Sequence, residues 1–141
     1  MAIRIITDSS ADFEPTVARR RQIDIVPMTI QFGSVSFIAG KTISNEVFYQ
    51  LLQEGKENPS TSQPTPAAFL QLFEEARDAG DQVVVVLLSG SLSGTLQSAV
   101  IAKGMCDYEP IYIVDSRSAT AGIQLLVNYA CKLRDSGLPA A

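Results

Sequence analysis

The sequence predicts an α/β fold: a mostly parallel β-sheet with helices on both faces, plus a β-hairpin. Three observations predict it. The runs Ile3–Thr7, Ile23–Val26, Val83–Leu88 and Ile111–Val114 are almost wholly apolar. They lack the alternation of a strand with one wet face, so they read as strands covered on both sides. Segments with apolar residues at helical spacing follow or separate these runs, which is the order of βαβ units. Three of the strand ends carry hydroxyls, at Thr7-Asp8-Ser9, Ser89–Thr95 and Asp115-Ser116. In sheets of this kind ligands sit beyond the carboxyl ends of the strands.

Taken in order, Ile3–Thr7 reads as a central strand ending in Asp8-Ser9-Ser10, residues that turn a chain and cap a helix. A short helix over Pro15–Arg21 starts on a proline suited to a first turn. Ile23–Val26 is the second strand. Met28–Phe32 and Val35–Ile38 flank Gly33-Ser34, a two-residue hairpin turn of the II′ kind. Ser44 caps a helix through Leu52, whose buried stripe is expected to be Val47, Phe48, Leu51 and Leu52. Gln53–Thr65 reads as a polar loop with two prolines, folded over the sheet edge if Ser60-Thr61-Ser62 joins the other hydroxyls. Thr65 and Pro66 make a cap and first turn for a helix to Ala79, burying Phe69, Leu72, Phe73 and Ala76, and Gly80 stops it.

The stretch Val83–Thr95, VVVVLLSGSLSGT, is the most informative in the chain. A buried strand ends, turns on small residues and starts a helix at Ser91–Ser93 that runs to Lys103. The last strand, Ile111–Val114, ends in Asp115-Ser116. A final helix from Ala119 to Asp135 places Ile123, Leu126, Val127, Ala130 and Leu133 on one face.

Composition narrows the chemistry. The chain has 141 residues, a formal charge of −4 and no histidine. That excludes a Ser-His-Asp or Cys-His machine built from this chain alone. Cys106 and Cys131 fit no metal spacing, so no metal or other cofactor is expected and both thiols read as reduced packing groups. Two cysteines without a signal peptide point to the cytoplasm. The only basic run is Arg19-Arg20-Arg21, at a helix end, so nucleic acid is not expected as a partner. No apolar run reaches the roughly 20 residues that span a bilayer.

The turn after the third apolar run suits a small anion. New helix starts have unpartnered N–H groups and the positive end of the helix dipole. Gly90-Ser91-Leu92-Ser93-Gly94 is no nucleophile elbow, because Leu92 holds the central place; no lysine follows as in a P-loop; and the glycine spacing is not that of a dinucleotide fingerprint. Without lysine a di- or triphosphate is poorly neutralised, whereas one carboxylate or phosphate needs only hydroxyls and amides. A helix cap with no ligand remains an equal reading of the same residues. Asp8 and Asp115 read as turn caps ahead of metal or acid–base groups.

IRIITDSSADFEP, IDIVPMTIQFG, TSQPTPAAF, SGSLSGTLQSA and IYIVDSRSATAG, in this order, resemble the DegV family of fatty-acid-binding proteins, which includes the acyl-carrying subunit of bacterial fatty acid kinase. The resemblance covers nearly the whole chain. One departure is Ala39 before Gly40, where the family usually carries an acidic residue.

The resemblance implies two α/β domains. Residues 1–137 correspond to the N-terminal one and residues 138–141 to the start of a linker towards a C-terminal domain missing from this chain, in which the family's basic or imidazole groups lie. It implies a non-catalytic protein that binds a long-chain fatty acid such as palmitate, with the acyl tail buried, and presents it to a kinase subunit. It assigns the carboxylate to Thr61 and Ser93, supported by Ser62, Gly94 and Thr95. The alternatives are an enzyme or binder acting on a small phosphorylated metabolite at the same turn, and a module that mainly docks a partner protein.

Overall fold

The computed structural model describes residues 1–141. Four parallel strands form the main sheet: β1 (Ile3–Asp8), β2 (Ile23–Val26), β6 (Gln82–Leu87) and β7 (Ile111–Asp115), in the order β2-β1-β6-β7. Helices α1 (Pro15–Arg20) and α5 (Ala121–Asp135) cover one face, and α3 (Pro66–Ala79) and α4 (Thr95–Cys106) the other. The apolar runs explain this double cover, because successive side chains point to opposite faces. Ile6, Val83, Val85 and Leu87 meet Phe69, Phe73, Ala76, Ala99 and Ala102. Ile5 and Val86 meet Ala18, Ile123, Val127 and Cys131. Burial pushes the thiols of Cys106 and Cys131 upward, away from thiolate at neutral pH.

Between β2 and α3 the chain adds a second layer. Strands β3 (Thr29–Phe32) and β4 (Val35–Ile38) form the expected hairpin, with Phe32 opposite Val35. Gly33 has φ +57° and Ser34 does not share a positive φ, as a II′ turn requires. The segment Gln53–Thr65 is not loop throughout. Residues Pro59–Ser62 form β5, antiparallel to β3, with Thr61 opposite Ile30 and Ser62 opposite Thr29. PSTS has no apolar pattern of its own, and it is the exposed edge of β3 that makes it a strand.

Helix α2 (Asn45–Glu54) has the expected Ser44 cap, whose Oγ accepts from Val47 N at 3.3 Å. Its apolar stripe is not buried as expected. Val47 and Leu52 are 43% and 42% exposed, and contact comes from Phe48, set edge-on to Phe32 with ring centres 5.7 Å apart. Helical spacing marks a face but not whether this chain covers it. Likewise Leu126 on α5 is 41% exposed, while Ile123, Val127 and Cys131 carry the contact with the sheet. Helix α5 begins at Ala121, two residues later than expected, because the Asp115–Thr120 turn runs on before it.

Asp81, at the turn from α3 into β6, ties that turn to the start of β1. Its Oδ1 accepts from Ala2 N at 2.9 Å and its Oδ2 from Arg4 Nε at 3.0 Å. The Ala2 amide, then Arg4, hold its carboxyl below the ordinary value of 3.8. A depressed carboxylate contributes stability that is present above its unfolded value and lost as pH falls through the lower folded one. Asp81→Asn is therefore expected to lower unfolding free energy at pH 7 by up to about 1 kcal/mol, with the gap closing as pH falls through and below the ordinary carboxylate value of 3.8 in denaturant titrations.

Candidate functional site

The sheet order reverses direction between β1 and β6: β1 leads to β2 on one side, and β6 leads to β7 on the other. A crevice opens at such a switch point, beyond the carboxyl ends. Asp8 ties the two strand ends together there. The Asp8 side chain is fully buried; its Oδ2 accepts from Leu88 N at 2.8 Å, across the two strand ends, and its Oδ1 accepts from Ser10 N at 2.8 Å and from the Ser10 hydroxyl. These contacts are those of a cap.

Most hydroxyls at this edge are already engaged. Thr7 Oγ1 donates to Val86 O at 2.7 Å. Ser9 Oγ accepts from Met28 N at 3.0 Å, which fixes the start of β3. Ser116 Oγ donates to Ser118 O and accepts from Ser118 N. Asp115 Oδ1 accepts from Gly90 N at 3.2 Å and Arg117 N at 2.9 Å, so it too caps turns. The first and last of the three hydroxyl-bearing strand ends are thereby structural.

The turn after β6 differs. Helix α4 starts at Thr95 with Gly94 as its cap, later than the expected Ser91–Ser93, because Leu92 N and Ser93 N close a separate turn on Ser89 O. It ends at Cys106 rather than Lys103. The N–H groups of Gly94, Leu96 and Gln97 donate to no protein acceptor. Thr95 is fully buried, and the sole partner of its hydroxyl is Ser93 Oγ at 2.9 Å. Ser93 Oγ also accepts from Thr95 N at 3.2 Å. Either hydroxyl of the pair can donate to the other, and when Thr95 donates, Ser93 accepts twice and keeps its own proton for an outside acceptor, in a chain where each bond strengthens the next.

An open hollow of about 380 Å³ lies over this turn, lined by Gly90, Ser91, Leu92, Ser93, Gly94, Leu96 and Gln97. No charged side chain lines it. Free amides, a hydroxyl and a helix N-terminus suit one negative charge.

Of the residues expected at the site, Ser93 and Gly94 line the hollow, and Thr95 stands behind Ser93. Thr61 and Ser62 do not line it. They lie on β5, which approaches through its neighbour Gln63: the Gln63 side chain rests on Gly94, and its Nε2 donates to Ser98 Oγ at 3.3 Å. Strand alternation puts Thr61 and Pro59 on the same face of the small sheet as Ile30, Phe32, Val35 and Phe37, with Ser60 and Ser62 on the other. Thr61 is thus the one hydroxyl on an apolar face that also carries the Phe48 contact. Sequence reasoning missed Gln63; its place in the TSQP segment was a signal, but its contact with Gly94 is made only in three dimensions.

The family model described as "Uncharacterised protein, DegV family" matches residues 2–141. The chain belongs to the DegV family. A DegV domain-containing protein of Caldanaerobacter subterraneus is 39% identical over 96% of this chain and 48% of its own length. Among solved structures, a Thermus thermophilus DegV family protein described by its fatty acid binding superposes with TM-score 0.86 at 31% identity, over 97% of this chain and 49% of that one. The Streptococcus pneumoniae Fatty Acid Kinase (Fak) B3 protein, loaded with linoleic acid, superposes with TM-score 0.83 at 30% identity, over 99% and 50%. The chain spans about half the length of the curated relatives it matches. No helix of the chain is long and apolar enough to cross a membrane.

Because Asp8 ties the ends of β1 and β6 through its carboxyl oxygens, Asp8→Ala is expected to cost at least about 2 kcal/mol of stability in urea titrations, with Leu88 N left unpaired. Retention of full stability would mean that the carboxylate is not the tie between the strand ends.

Proposed function

We propose that this DegV domain binds the carboxylate of a long-chain fatty acid such as palmitate at the start of α4, and that the bound acid is presented to a kinase subunit. The observation that carries the reading is the set of free N–H donors at Gly94, Leu96 and Gln97, with the Ser93 hydroxyl beside them, in a hollow with no charged lining residue. Such a set complements one negative charge and leaves a polyphosphate poorly neutralised. Fatty acid in the Thermus thermophilus and Streptococcus pneumoniae relatives supports the choice of acid. In this reading Ser93 and Thr61 hydrogen-bond the head group, while Ser62, Gly94 and Thr95 support them. The tail starts along the apolar face that carries Ile30, Phe32 and Phe37.

Energetics divide the work. Burying a sixteen-carbon tail contributes on the order of 10 kcal/mol gross, at about 0.8 kcal/mol per CH₂. Each head-group hydrogen bond to the charged oxygens is worth about 1.5–3 kcal/mol. The tail holds the ligand; the head group orients it and selects an acid over an alcohol. The protein contributes no nucleophile in this reading: phosphoryl transfer to the bound carboxylate belongs to the kinase subunit. No metal or organic cofactor enters it, and the protein works in the cytoplasm. The domain is residues 1–137, with residues 138–141 leading towards a second domain.

Native mass spectrometry of the full natural chain is expected to find a co-purified long-chain acid. A clean ligand-free mass with no uptake of added palmitate overturns the reading, and tight binding of a short phosphorylated sugar in its place favours a metabolite site at the same turn. Thr61→Ala combined with Ser93→Ala is expected to weaken palmitate binding at least about tenfold while the thermal midpoint holds within a few degrees.

A further inference from the structure

Gly94 has no conformational need to be glycine. Its φ of −77° and ψ of 4° are open to any residue. What is restricted is the space beside it. An ideal Cβ there would collide with Gln63 Oε1, Nε2 and Cδ, the last two at 2.7 and 2.8 Å. The same Nε2 donates to Ser98 Oγ at 3.3 Å, and Ser98 is only 3% exposed. The Gln63 carboxamide thus lies across the first turn of α4.

Gln63 is also well placed to carry strain between the two sheets. Pro64, buried, follows it and holds it extended. Thr61 precedes it by two residues, about 7 Å along an extended chain. Strand β5 is an edge strand whose only partner is β3. Its other edge is unpaired, and the Gln63–Ser98 bond is the one hydrogen bond from β5 and its flank to α4.

We infer that Gln63 is a positioning residue: its amide docks β5 onto the first turn of α4, holds the layer that carries Thr61 against the layer that carries Ser93, and is admitted because residue 94 has no side chain. The consequence for ligand binding rests on the fatty-acid reading above; the docking contact itself does not. Ser93 and Thr61 come from different layers, and two hydroxyls grip one carboxylate only if those layers keep a fixed distance. A side-chain amide suits this task, because it bonds Ser98 without adding a charge beside the anion.

The test uses the full natural chain with Gln63→Ala, Gly94→Ala and the double variant. Backbone hydrogen exchange of residues 59–63 is read without ligand, and binding of palmitate and of hexadecanol is read by displacement of a fluorescent fatty acid. Each single variant is expected to speed exchange in that segment at least about tenfold, because an undocked edge strand opens more readily. Each is expected to weaken palmitate about tenfold and hexadecanol less than about twofold, with the double variant no worse than either single, since both remove one contact. Unchanged exchange in both single variants, losses that multiply in the double variant, or equal losses for acid and alcohol overturn the inference. If the unaltered protein takes up no palmitate, the fatty-acid reading falls, and the exchange data alone then decide whether Gln63 docks the strand.

Discussion

A buried carboxylate at the switch point organises the molecule. Asp8 stands where the sheet order reverses and accepts N–H groups from both sides of the gap: Leu88 after β6 and Ser10 after β1. A fully buried carboxyl group is costly unless its oxygens are hydrogen-bonded. Here that requirement pins the two central strand ends to each other. Once β6 ends at a fixed place, the Ser89–Gly94 turn is held against the sheet, and α4 departs with its first amides facing the crevice. Ser9, one residue later, fixes the start of β3 through Met28 N, so the second layer takes its position from the same corner.

The result is a division among residues that look alike in the sequence. The Thr7 and Ser116 hydroxyls donate to backbone carbonyls and Ser9 Oγ accepts from Met28 N, whereas Ser93 Oγ pairs with the buried Thr95 hydroxyl beside amides that donate to no protein group. A site made of neutral donors is selective in its own way. It complements one charge without attracting polyanions over a distance, because no lysine or arginine adds a long-range field. On the proposed reading, these donors and an apolar face with a single hydroxyl at Thr61 serve a molecule with one acidic tip and a long greasy body. Two relatives about twice this length are described by fatty acid binding and by bound linoleic acid.

Much of this was legible residue by residue. Continuous apolar runs announced strands buried on both faces, and Thr65-Pro66 and Gly80 bracketed α3 to the residue. Gly33-Ser34 announced the hairpin turn. The DegV motifs assign the carboxylate to Thr61 and Ser93, and of the two only Ser93 lines the hollow. Less legible were features that depend on a partner. Pro59–Ser62 has no strand pattern and became β5 because β3 had an open edge. The apolar stripe of α2 promised burial, but only Phe48 found a close aromatic neighbour in Phe32. The start of α4 slid to Thr95 because Ser89 O captured two amides first.

Local chemistry in the chain determined which segments are strands and helices and which turn offers neutral donors, because periodicity, caps and the lack of histidine and lysine there are properties of neighbouring residues. Tertiary structure decided which hydroxyls stay free and which are spent, and that Gln63 lies on Gly94. Those outcomes depend on groups tens of residues apart competing for the same hydrogen bonds and the same few cubic ångströms, and no local pattern encodes the winner.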